Sequence, residues 1–141
     1  MNKLKWAMQT ALAAQFQKYR FGGDDPLEGY DCSGFIIEIL QSVGKLPLKG
    51  DWTAAGLYHQ LADLEVPAPK EGCLVFVCGL NTEPYHVEFC LDEEHSIGAS
   101  GGDSTTVDYN AAVKQNAYVK IRPIRRFNAP LRFVDPFKFE R

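Results

Sequence analysis

Apolar residues recur along this chain with two different periods, and the change between them falls near residue 70. Leu4, Met8, Ala11, Leu12, Phe16 and Tyr19 share one helical face, which predicts a first helix over about residues 3–18. Phe35, Ile36, Ile39, Leu40 and Val43 then fall at three- and four-residue intervals. They predict a buried helix that begins at Cys32 and ends at Gly44. Ala55, Leu57, Tyr58 and Leu61 predict a third helix over about 53–63, with Thr53 as its N-cap.

Past Pro67, Pro69 and Gly72 the pattern becomes strand-like. Residues 73–78 form a continuous apolar run, as expected of a strand covered on both faces. Residues 85–91 alternate: Val87, Phe89 and Leu91 point one way, His86, Glu88 and Cys90 the other. Asp92-Glu93-Glu94 predicts a hairpin turn into a strand over 95–100, followed by a loop at 101–104, a short helix over 108–115 and a strand over 117–123. Pro130 and Pro136, set among aromatics and arginines, predict an irregular surface arm over about 124–141. Helices followed by an antiparallel meander make this an α+β chain, with residues 1–141 as a single domain.

At 141 residues and 45% hydrophobic content the chain can bury one core, and neither disorder nor a membrane span is expected. A net charge of −3 argues against a general nucleic-acid binder. Charge is nevertheless uneven: from Lys114 onward there are eight Lys/Arg against two Asp/Glu. That basic end either faces an anionic polymer or is simply solvated. Lys3 and Lys5 before an apolar segment, with Ala11-Leu12-Ala13 after it, superficially resemble an export signal. Gln9 and Thr10 interrupt the apolar stretch, so a structural helix is the better expectation, with the chain made in the cytoplasm.

Cysteine chemistry then changes the picture. Cys73, Cys78 and Cys90 lie in strand-like runs and read as core residues, and no C-x-x-C pair suggests a metal site. Cys32 sits where a turn enters a helix. Unpaired N–H groups and the helix dipole put positive charge there, which favours thiolate, the nucleophilic form. A small buried hydrophobe is the plain alternative for Cys32. A cysteine nucleophile needs a base, and histidine is the usual one. His59 lies mid-helix and His95 beside a Glu-Glu turn, both expected at the surface. His86, near the start of a strand, is the candidate that a sheet packed on the Cys32 helix could present to the thiol.

Tyr19-x-x-Gly22-Gly23, Asp31-Cys32-Ser33-Gly34-Phe35, Leu46-Pro47, Gly72-Cys73-Leu74-Val75-Phe76 and His86-Val87 occur in an order and spacing that resembles the NlpC-type cell-wall cysteine peptidases, a papain-like group. The likeness covers about residues 15–100. It implies a papain-like fold of N-terminal helices on an antiparallel sheet, and cleavage of peptidoglycan stem peptides, most often between D-γ-glutamyl and a diamino acid. It implies Cys32 as nucleophile and His86 as general base, and nothing in the sequence indicates a metal or organic cofactor. The Cys32 N–H would stabilise the oxyanion, helped by the Tyr19 hydroxyl. Asp31 and Ser33 match residues that help bind a free amino terminus in some relatives, although helix capping by Asp31 competes as an explanation.

Two departures stand out. The family's third polar residue, commonly histidine, falls at Gly98, which has no side chain. Orientation of His86 would then come from a backbone carbonyl, a water or another residue such as His95. The second departure is Glu88 where the family usually has glycine; on the face of His86 it would raise the histidine pKa or shape the substrate site. The empty third position also favours a different class of function, an idle wall-peptide-binding or structural module. A solitary domain without an export signal further resembles phage or prophage versions. The expected partners are therefore a stem peptide and a phage tail or other delivery assembly that carries the protein to the wall.

Overall fold

The first apolar stripe folds into α1 (Lys3–Ala13), capped by Asn2, whose side chain accepts the Lys5 N–H at 3.0 Å. It stops short of the expected end because Phe16 takes φ 75, a left-handed conformation that a continuing helix cannot contain. The computed structural model describes residues 2–25, 29–102 and 105–141. The expected loops near 26 and at 101–104 therefore lie partly outside the described residues. A two-residue ladder of β1 (Asp24–Asp25) with β2 (Gly29–Tyr30) leads into α2 (Cys32–Ser42).

Helix α2 is buried along most of its length, with Phe35, Ile36, Ile37, Ile39 and Leu40 all inside. That agrees with the two-turn spacing of its apolar residues. Helix α3 (Ala54–Leu61) begins at the expected cap, Thr53, whose side chain accepts the Gly56 N–H at 3.0 Å. A 3-10 turn at Ala62–Leu64 and the two-residue β3 (Glu65–Val66) follow.

The strands β4 (Leu74–Cys78), β5 (Pro84–Cys90), β6 (His95–Ser100) and β7 (Tyr118–Pro123) form the expected antiparallel meander, with α4 (Tyr109–Gln115) between the last two. Every residue of β4 is buried, as its unbroken apolar run requires. The C-terminal segment corrects the sequence reading. Instead of an irregular arm over 124–141, it forms a 3-10 turn at Ile124–Arg126 and then β8 (Leu131–Val134), which inserts between β3 and β4. Pro130 and Pro136 bracket this strand and leave its N–H groups free to pair. Val134 and Phe137 are wholly buried, so the arm is part of the core.

The six-stranded order is β3-β8-β4-β5-β6-β7, and every pairing is antiparallel. One face of the sheet carries Leu74, Phe76, Val87, Phe89, Ile97 and Ala99 into the main core with the helices. The other face holds a smaller cluster of Cys73, Val75, Cys90 and Ile124, backed by Phe127, Leu131 and Phe133. Register places His86 opposite Val77 and Glu88 opposite Val75, so both belong to this second face. His86 is thus not on the face that packs against α2. Instead, the ladder between β5 and β6 covers Phe89↔Ile97 and Cys90↔Ser96 and is open beyond them. At that open end the start of α2 meets His86, and Cys32, His86, Ala99 and Ser100 share one cleft.

Candidate active site

Cys32 is held at the start of α2 by the residue before it. The Asp31 carboxylate accepts the Gly34 N–H at 2.6 Å, which caps the helix, and the Gly22 N–H at 2.9 Å, which ties down the preceding turn. Burial raises the Asp31 pKa, and the hydrogen bonds from Gly34 and Gly22 oppose that rise in part. Gly34 is required here: a Cβ would run into the Gly23 carbonyl oxygen. The Ser33 hydroxyl is buried and lies 3.4 Å from Asp31 Oδ1. Asp31 and Ser33 therefore build the turn that presents Cys32, whatever else they contact.

His86 is hydrogen-bonded to Cys32 on one side and, through Nε2, to Glu88 Oε2 at 2.7 Å on the other. With Nε2 engaged, Nδ1 is the ring nitrogen left for the thiol. Glu88 is fully buried and saturated with partners. Its Oε2 also accepts from Arg126 Nη2 at 2.8 Å, and its Oε1 accepts from the Ser96 hydroxyl at 2.7 Å.

These contacts decide the charge states. Burial by itself would lower the His86 pKa, but hydrogen bonding and charge from Cys32 and Glu88 outweigh it and raise the value to about 9. Burial likewise opposes ionisation of Glu88, yet His86, Arg126 and Ser96 together bring its pKa down to about 2. An imidazolium held between a sulfur and a carboxylate is the state these contacts favour for His86.

Glu88 also explains the missing side chain on the neighbouring strand. A Cβ built on Gly98 would lie 2.7 Å from Glu88 Cδ and closer still to Cγ. The carboxylate of β5 fills the space from which a residue on β6 would otherwise reach the histidine. His95, the residue suggested by sequence for that task, is not brought to the site. Its Nδ1 lies 3.2 Å from Asp92 Oδ1 at the far turn, and its side chain is 42% exposed. His59 is also remote, paired with Glu83 at the surface.

The cleft above the pair has a volume of about 410 Å³ and is walled by Tyr19, Phe21, Tyr85, Ser100, Arg122 and Phe127. Tyr19 is buried, with its ring against the Gly102 backbone, where a Cβ would sit 2.6 Å from Tyr19 Cε1. Phe127 lies 6.0 Å from the His86 ring, centroid to centroid, and carries the Arg126 guanidinium 4.1 Å above its own. Arg126 and Phe127 come from the C-terminal segment and carried no local sequence signal. Glu88 did carry one, through its alternation with His86. The other cysteines are buried core residues, and burial raises the pKa of each thiol. Among the described residues no group of three His, Cys, Asp or Glu side chains is placed to hold a metal ion, and no helix is long and apolar enough to cross a membrane.

Comparison with known proteins identifies the family and the fold. The profile of the NlpC/P60 family matches residues 16–123. The fold is similar to the NlpC/p60 domain of the peptidoglycan hydrolase SagA, with a TM-score of 0.66 and 22% identity over 94% of this chain and 97% of that one. It is also similar to the P60 domain of antigen MAP1204 from M. avium subspecies paratuberculosis, with a TM-score of 0.71 and 18% identity over 97% and 96% of the two chains. A third likeness is to the resuscitation promoting factor interacting protein RipA, with a TM-score of 0.65 and 15% identity. There the match covers 94% of this chain but 61% of RipA.

Proposed function

The chain belongs to the NlpC/P60 family, and we propose that it is a cysteine peptidase that hydrolyses stem peptides of bacterial peptidoglycan, at the bond between γ-D-glutamyl and a diamino acid. The observation that carries this reading is the single histidine shared between Cys32 and the buried carboxylate of Glu88.

In this mechanism the Cys32 thiolate attacks the scissile carbonyl carbon. The oxyanion forms beside the Cys32 N–H, which as the first helical amide has no intrahelical acceptor, with the Tyr19 hydroxyl as a second donor. Protonated His86 gives its proton to the leaving amine, the C–N bond breaks, and a thioester to Cys32 remains. Neutral His86 then takes a proton from water, whose oxygen attacks the thioester and releases the acid and the thiolate. Throughout, Glu88 fixes the ring through Nε2 and stabilises its charged form.

The competing reading, an idle wall-peptide-binding or structural module, drew its support from the empty position at Gly98. A carboxylate two residues along His86's own strand stands against the ring in the space beside Gly98, which weighs against that reading. How the protein reaches the wall is a separate proposal, in which a phage particle or other assembly delivers it.

A synthetic stem peptide with the L-Ala-γ-D-Glu-diamino acid order, incubated with the wild type and with Cys32→Ala, tests the activity and its bond specificity by product mass. Cleavage after the glutamyl residue, lost in the variant, is the expected result. Cleavage that persists in Cys32→Ala overturns the assignment.

A further inference from the structure

One wall of the cleft carries a cation that the mechanism above does not use. Arg122 stands on β7 opposite Ser96, and its Nη2 donates to the Ser100 hydroxyl at 2.9 Å. Both Arg122 and Ser100 line the cleft that contains Cys32 and His86. Arg122 Nε is buried and has no hydrogen-bond acceptor among the described residues. A buried guanidinium N–H without an acceptor is costly, and native proteins supply one unless something else does.

The local charge points the same way. Arg122 and Arg126 lie close enough to act on Lys120, and Arg126 on Arg122, and the Glu88 carboxylate acts on both Lys120 and Arg122. Glu88 is already committed to Arg126 and His86. Burial foremost, with charge from Arg122 and Arg126 on Lys120 and from Arg126 on Arg122, lowers the pKa of both groups, and Glu88 opposes the shift. Lys120 has turned away to the Asn116 carbonyl and the Tyr118 ring, which leaves Arg122 facing the cleft.

We propose that Arg122, steadied by Ser100, is a carboxylate-binding subsite beside the Cys32–His86 pair, and that it receives the free α-carboxylate of a γ-linked glutamyl residue. This rests on the substrate reading given above. A glutamyl residue joined through its side chain keeps its α-carboxylate free, a short carbon chain from the scissile carbonyl. The planar guanidinium fork matches that group. A substrate whose glutamyl carboxylate has been converted to the amide loses the negative charge and one of the two acceptor oxygens, and would be disfavoured.

The test compares three forms of one stem peptide: the free acid, the form amidated at the glutamyl α-carboxylate, and the form amidated at the C-terminal carboxylate. Binding to Cys32→Ala is read by calorimetry, and kcat/KM by product release from the Cys32 enzyme, each with Arg122 intact, Arg122→Gln and Arg122→Lys. The intact site is expected to favour free acid over glutamyl amide on the order of 10–100-fold, the worth of a charge-assisted hydrogen bond. Arg122→Gln should erase that preference through KM, with a far smaller loss on the amide than on the free acid, and Arg122→Lys should retain part of it. Amidation at the C-terminus should change nothing. Equal treatment of acid and glutamyl amide, an equal loss on both in Arg122→Gln, or a preference that follows the C-terminal carboxylate would each overturn the subsite. Absence of cleavage by the wild type would defeat the peptidase reading alone, because calorimetry on Cys32→Ala reports the acid-over-amide preference independently.

Discussion

Glu88 occupies the volume that a side chain at Gly98 would need, and from there its carboxylate reaches Nε2 of His86 at 2.7 Å. The two residues sit on adjacent strands, one projecting and one empty. In the proposed peptidase the third polar group is therefore supplied from β5, not from β6.

This exchange is expected to be reversible by mutation. Glu88→Gly should lower kcat by roughly 10²-fold, the lower end of the general acid–base contribution that His86 makes and Glu88 positions. Adding Gly98→His to that variant should recover much of the loss, because the cleared space admits a ring from β6. Gly98→Ala in the wild-type background should be harmful, since its Cβ collides with Glu88. Steady-state kinetics of the four proteins, with circular dichroism to verify folding, measures the coupling.

The pH dependence of catalysis follows from the raised pKa of His86. In the proposed mechanism the active form has this ring protonated, so kcat/KM should fall on the alkaline side as pH passes about 9. Glu88→Gln removes a negative charge that stabilises the imidazolium. The folded pKa then drops, and the alkaline limb should move to lower pH. A limb that stays in place in Glu88→Gln would show that Glu88 does not set the protonation of His86.

Stability should carry the same signature with opposite signs at the two ends. His86 is raised from 6.5 to about 9, so its contribution is complete below 6.5 and is lost as pH rises through 9. Glu88 is lowered from 4.5 to about 2, so its contribution is complete above 4.5 and is lost as pH falls through 2. The difference in urea-unfolding free energy between wild type and Glu88→Gln should therefore be largest between about pH 4.5 and 6.5. A difference that is flat from pH 3 to 10 would contradict the coupled pair.

The C-terminal segment is expected to be indispensable. Phe137 is wholly buried, and Arg141 holds Asp135 with Nε 2.7 Å from Oδ2. Phe137→Ala should cost about 3–5 kcal/mol in urea unfolding, the range for emptying a buried aromatic site. It should also reduce activity, because β8 belongs to the same segment as Arg126 and Phe127. Loss of less than about 1 kcal/mol would mean that the segment is merely appended.

Much of this architecture is legible in the sequence because it depends on local periodicity. The apolar face of α2, the Thr53 cap and the unbroken run of β4 each follow from residues close together in the chain. The strand at 131–134 is not local in that sense: its partners are β3 and β4, some sixty residues earlier, and the flanking prolines look like breakers. The site divides in the same way. Cys32 and His86 follow from a helix start, a strand pattern and a family likeness. Glu88 was visible as a carboxylate on the histidine's face, but its role depends on the cross-strand register that sets it against Gly98. Arg126 holds Glu88 from beyond residue 123, where the family match ends, and nothing in its neighbourhood announces that contact.

The most direct test of the account is to mix enzyme with a stem peptide, quench within the first turnovers and weigh the intact protein. A thioester adduct with the mass of the acyl half of the substrate, mapped by digestion to Cys32 and absent in Cys32→Ser, is the predicted result. Turnover with no such adduct, or with the adduct on Cys73, Cys78 or Cys90, would contradict it.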